Sequence, residues 1–312
     1  MGSAPHDAIG AGNAAMTGPA PSAAWLDMIP WRASLLDWRW GAAQVTDHVS
    51  GASGRAWHDL RTGSLSRAEQ VFEQGPESPA DWPAYWGRGL FRAMRGDWSA
   101  ASDDLCAAAD SVDKAELTAG ARLLAVVTLA EADDRAAADL LADLQRRPPL
   151  CPHLTAMTAV QRDDPALLGD ALLMLPELAA VLSVRPPARE LVQRATDDVR
   201  ARATLLEASW VRLRNAARLL GVVRSEGVPS SAPGRPEFRT LETLVPHIDA
   251  RRAAITDVRR EIDYLPAHSP AQINVDHLQA ARAAGEAAKE ELAQFDHPPV
   301  VRPLGIPPLR FR

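Results

Sequence analysis

Residues 82–113 read WPAYWGRGLFRAMRGDWSAASDDLCAAADSVD. The stretch predicts two short helices joined by a turn at Arg95-Gly96-Asp97. The first places Tyr85, Gly89 and Arg92 on one side and Trp86, Leu90 and Ala93 on another. The second carries Ala101, Leu105 and Ala108 on one stripe, at spacings of four and three. Those spacings return a side chain to the same helical face. Small residues at Gly89 and Ala101 let two helices lie close together. An all-α chain built from helical hairpins follows.

Other parts of the chain repeat this layout. Residues 50–75 hold a degraded copy, with Gly63-Ser64-Leu65 at the turn, Ala68 at the place of Ala101 and Phe72 at that of Leu105. From Thr118 to Leu144, Ala125 stands for Gly89, and Ala137, Leu141 and Leu144 stand for Ala101, Leu105 and Ala108. Its turn, Ala132-Asp133-Asp134, lacks the glycine. A fourth pair, Pro152 to Arg162 and Pro165 to Leu175, flanks Asp163-Asp164, where an Asp cap precedes a helix-opening proline.

Over residues 50–175 this pattern resembles the tetratricopeptide repeat, a helix–turn–helix array. Gly89 falls at the family's small first-helix position, Gly96-Asp97-Trp98 at its turn, and Ala101, Leu105 and Ala108 at its second-helix positions. The family's signature Trp, Tyr and Pro positions are mostly not kept. The resemblance implies a binder of proteins or peptides whose first helices line a concave groove. Carried position by position, that groove maps to Trp57 and Arg61, then Trp86, Leu90 and Met94, then Arg122 and Val126. The competing expectation is that the chain's own long helices or tail fill the groove. Arg302, Arg310 and Arg312 of the tail would suit an acidic N-terminal half.

Beyond Pro187 the period becomes seven. Val192, Val199, Leu206, Leu213 and Leu220 form one seam, beside Ala203, Trp210 and Ala217. This predicts a helix of about 38 residues, roughly 57 Å long. Leu241, Ile248, Ile255 and Ile262 form a second seam with Leu244, Val258 and Leu265, and Pro246 is expected to kink or start that helix. A third helix, Val275 to Phe295, offers Leu278, Ala281, Ala288, Leu292 and Phe295. Three such helices imply an antiparallel coiled-coil bundle. The expected organisation is a disordered tail over residues 1–23, a repeat domain over 24–184, a three-helix bundle over 185–296 and an extended Pro-rich tail over 297–312. The segment Trp25 to Trp40 is aromatic, with Trp31, Leu35 and Trp38 on one face; it reads as a helix capping the free end of the array.

Composition narrows the function classes. The net charge is −6, but residues 1–184 carry 14 basic and 24 acidic side chains and residues 185–312 carry 20 and 16. The two halves can therefore attract each other or present different surfaces to partners. Cys106 and Cys151 are the only cysteines, which suits a reducing compartment, and no signal peptide or membrane span is read, so a cytoplasmic protein is expected. The excess of Arg over Lys reads as a bacterial coding bias. No metalloprotease, phosphate-loop, dinucleotide or nucleophile-elbow motif is found. Cys151 and His153 read as a buried thiol beside a surface histidine rather than as metal ligands. Between Arg185 and Glu226 nine arginines are interleaved with five acids, which argues against a nucleic-acid stripe. The expectation is thus a non-enzymatic adaptor, chaperone or scaffold without metal or cofactor, and with oligomerisation through the bundle open to it. The alternatives are a structural subunit of a bacterial assembly, an enzyme whose site is no sequence motif, and a nucleic-acid binder using the Arg-rich bundle.

Overall fold

The computed structural model describes residues 24–32, 35, 42, 45–46, 48–221, 238–268, 275–296 and 300–303. The expected tail over 1–23, Trp38 and Trp40, the loop 222–237 and most of the Pro-rich tail lie outside them. The fold is all-α: every regular element among the described residues is helical. A 3-10 turn, Ala24–Met28, is followed by α1 (Gly51–Arg61), α2 (Leu65–Glu73), α3 (Trp82–Met94), α4 (Trp98–Ser111), α5 (Ala115–Ala130), α6 (Asp134–Leu144), α7 (Pro152–Arg162), α8 (Pro165–Met174) and α9 (Glu177–Leu182). Three long helices complete the chain: α10 (Pro186–Leu219), α11 (Leu241–His268) and α12 (Val275–Ala293).

The first eight helices form four packed hairpins, and three of them close with the same chemistry. Ser64 N–H donates to Asp59 O at 2.8 Å, Asp97 N–H to Arg92 O at 2.9 Å, and Asp164 N–H to Ala159 O at 2.9 Å. Each bond spans a residue of positive φ: Gly63 (86°), Gly96 (82°) and Asp163 (53°). This is the helix-ending arrangement in which one left-handed residue lets the chain reverse while spare carbonyls stay bonded. The third hairpin, whose turn lacks glycine, closes instead with Asp133 N–H on Leu129 O at 2.8 Å. Asp133 and Asp164 then accept the first free N–H groups of α6 and α8 at 3.0 Å.

Packing follows the same repetition. Ala68, Ala101 and Ala137 are fully buried, and so are Phe72, Leu105 and Leu141 four residues on. A Cβ on Gly89 would lie 2.9 Å from Leu105 Cγ and 3.1 Å from Ala101 O, so α3 and α4 touch where only hydrogen fits. Adjacent helices pack in sequence from α3 to α8, an arrangement compatible with a helical repeat. In the long helices the seven-residue seams are the buried positions: Val192, Val199, Leu206 and Leu213 on α10, and Leu241, Ile248, Ile255 and Ile262 on α11. The three pack on one another, and α8 joins them to the hairpins by packing along α10. α10 has 34 residues rather than about 38, and α11 starts five residues before Pro246, passing through it.

One feature departs from the expected layout. α1 buries only Ala56, Trp57 and Leu60, as an amphipathic surface helix should. α5 buries thirteen of its sixteen residues and α7 nine of its eleven. A helix buried all round has cover on both sides: α5 packs between α4 and α6, and α7 packs on α6, on α8 and on the N-terminal segment. Leu26, Ile29, Trp31, Leu35, Ala42 and Val45 are all buried in the common core, and the 3-10 turn packs on α7. Residues 24–32 therefore lie against α7 and the α5–α6 turn. Those contacts are with the later hairpins rather than the expected free end at α1 and α2, and residues 33–34 and 36–41 lie outside the described ones.

Candidate partner-binding face

The seven groove residues named from the sequence do not share one open face. Trp57 is fully buried; its Nε1 donates to Pro83 O at 3.1 Å and its ring meets Phe72 edge-on at 5.4 Å. Trp86, Leu90 and Val126 are buried in the same core. Arg122 is buried too, and its guanidinium donates to the carbonyls of Arg147 at 3.0 Å and Pro148 at 3.2 Å. Burial lowers its pKa from the usual value, and the two carbonyls tie down the chain after α6. Only Arg61 and Met94, at the ends of α1 and α3, are exposed, Met94 at 50%. Four-residue spacing placed the side chains on common helical faces; it did not reveal which faces a further layer would cover.

That layer is held by specific contacts. Trp25 Nε1 donates to Asp134 Oδ1 at 2.6 Å, and Arg32 bridges Asp27 and Glu131, the latter at the α5–α6 turn. Trp31 meets the His153 ring of α7 edge-on, with centroids 5.1 Å apart and planes at 84°. His153 is thus buried, not on the surface as its sequence position suggested. Burial first, and nearby Arg302 second, push its pKa from 6.5 down to about 3, so it is neutral. The tail contributes a smaller cover: Val301 N–H donates to Leu150 O at 3.3 Å and Arg302 pairs with Glu177 at 3.0 Å. Arg310 and Arg312 lie outside the described residues.

The remaining chemistry is sparse. Burial pushes the Cys151 thiol up to about 11, and burial with nearby acids does the same for Cys106, so both stay protonated at neutral pH. Among the described residues no three His, Cys, Asp or Glu side chains come together as a metal site, and no helix is long and apolar enough to cross a membrane.

Charge is distributed unevenly between the first two hairpins. On the second, Asp104 is buried between Arg88 and Arg92, and Arg95 is held by Glu69 and Glu73 around a depression of about 350 Å³. On the first, Arg55, His58, Arg61 and Arg67 are all exposed, and among the described residues no side-chain hydrogen bond or ion pair is made by any of the four. A depression of about 590 Å³ is lined by Arg55, His58 and Arg67 together with Val49, Ser50, Gly51, Gly54 and Asp59. The sequence reading picked out Arg61 and passed over its neighbours. The signal was present as basic residues three apart on α1, but their lack of acidic partners is a tertiary property. In the bundle, by contrast, Arg194, Arg200, Arg202 and Arg212 all pair with acids. The chain matches no protein-family model, no curated protein and no solved structure.

Proposed function

We propose that the chain is a non-enzymatic protein-binding module, an adaptor, chaperone or scaffold of the tetratricopeptide type, that meets its partner at the open first two hairpins. The observation that carries this reading is the recurrence of one hairpin closure at Gly63, Gly96 and Asp163, with buried alanines at matching places. Such stacks present an extended surface at modest cost in core. Of the groove residues that the resemblance implies, Trp57, Trp86, Leu90, Arg122 and Val126 are buried, which leaves Arg61 and Met94 exposed. An adaptable thioether beside arginines suits a protein surface.

A structural-subunit reading has its own support in Leu205 and Leu219 of α10, exposed at 52% and 65%. The test for the main reading is affinity capture of the full chain from native bacterial lysate, with mass spectrometry and a screen for small-molecule turnover. A stoichiometric protein partner whose capture falls on changing Met94→Glu is the expected result. No protein partner together with turnover of a small molecule would overturn it. Capture that depends on Leu205 and Leu219 but not on Met94 would favour the structural subunit.

A further inference from the structure

Resting on that reading, we propose that the depression between α1 and the start of α2 takes an acidic segment of the protein partner, its carboxylates held by Arg55 and Arg67. Arg55, His58 and Arg61 are spaced by three, which keeps them on neighbouring positions of one helical surface. Arg67 faces the same depression from α2. Among the described residues no acid pairs with these side chains, whereas the arginines of the next hairpin are bound to Asp104, Glu69 and Glu73. A planar guanidinium free of internal partners is available for paired hydrogen bonds to a carboxylate.

The surroundings favour a peptide over other anions. The lining contains no Trp, Tyr or Phe ring, the large platforms on which bases stack, so single-stranded nucleic acid has only the small His58 imidazole there. The cavity, about 590 Å³, is far larger than a lone phosphate and of the size that receives several side chains. Asp59 is the one acid among the lining residues. It opposes a dense polyanion more than a segment in which acids are spaced by neutral residues. Residues 1–184 as a whole carry a net −10, so an acidic partner is repelled elsewhere on this half and directed to its free basic patch.

The experiment uses the full chain and a fluorescent peptide of alternating Glu and Gly, with inorganic phosphate and a short DNA duplex as competitors. Saturable binding that weakens with added salt is expected, and the double change Arg55→Glu with Arg67→Glu should weaken it at least about tenfold. The exposed Arg260→Glu change on α11 should leave it unaltered, and circular dichroism melts should show that both variants keep the fold. Absence of saturable peptide binding, or a double variant that binds as well as the parent, would overturn the proposal. So would displacement by phosphate at concentrations matching the peptide, which marks a small-anion site, or tighter binding of the duplex. The two readings separate in lysate capture. If the double variant still recovers the partner in full, the acidic-segment site fails while the protein-binding function stands. If peptide binds but no protein is recovered by either form, the site stands as a carboxylate binder and the function reading fails.

Discussion

α1 and α5 each open a hairpin of similar layout, yet α1 buries three of eleven residues and α5 thirteen of sixteen. Their own sequences account for part of this: α5 carries Leu, Val and Ala on nearly every face, whereas α1 carries Arg55, His58, Asp59 and Arg61. The rest is supplied by distant chain. Trp31 lies on α7 and Arg32 reaches the α5–α6 turn, and among the described residues no ring contact is made to the basic side chains of α1. The contrast teaches that a repeat array can have a closed part and an open part, and that only the open part is available to a partner.

The largest break in this comparison should come from Trp31→Ala. Removing a fully buried indole from the layer over α7 should cost about 3–5 kcal/mol in urea unfolding. A loss below about 1 kcal/mol would mean the layer is not packed as described. Next, Arg122 and Arg61 should behave oppositely although both were assigned to one groove. Arg122→Met strands two carbonyl partners and should cost about 1.5–3 kcal/mol, whereas Arg61→Met should stay within about 0.5 kcal/mol. Equal effects in matched urea titrations would erase the distinction between closed and open parts.

Gly87→Ala sharpens the comparison from the open side. Its Cβ would sit 2.4 Å from Phe72 Cε1, in the joint between the first two hairpins. A loss of about 1–3 kcal/mol is expected, read by thermal or urea melts. The open face is thus predicted to rest on a tight joint, and a neutral substitution would show that the hairpins are loosely coupled. The last effect is negligible at neutral pH and grows only toward acid; it concerns His153. Its folded pKa, about 3, lies below the ordinary 6.5, so the unfolded chain takes up the proton first. Stability should therefore be full above pH 6.5, fall toward pH 3 by at most about 1.4 kcal/mol per pH unit from this group, and level off below that. His153→Gln should flatten that part of the pH profile, as measured by urea midpoints between pH 7 and 4.

Much of the fold was legible because helical packing repeats locally. The alanines at 68, 101 and 137, the turns at Gly63 and Gly96, and the seams through Leu206 and Ile255 all announce themselves by spacing. The turn at Asp163 was placed by its flanking prolines. The candidate site was less legible. Trp57, Trp86 and Val126 fall on helices as the spacing predicts, but which side faces water depends on packing against other helices, as Trp57 does against Phe72 and Pro83. His153 illustrates the same limit: a polar residue beside a proline at a helix start reads as exposed until Trp31 is laid over it. Arg55 and Arg67 are visible in the sequence as basic residues, but only the folded chain shows that no acid among the described residues answers them.

The central claim is that the chain's own N-terminal segment closes the later hairpins. A photo-activatable benzophenone side chain placed at position 25 of the full chain tests it most directly. The account predicts an intramolecular cross-link, mapped by mass spectrometry to the α5–α6 turn around Glu131 and Asp134, where the Trp25 indole now bonds at 2.6 Å. A cross-link to the first hairpin, or one formed only between molecules, would contradict it.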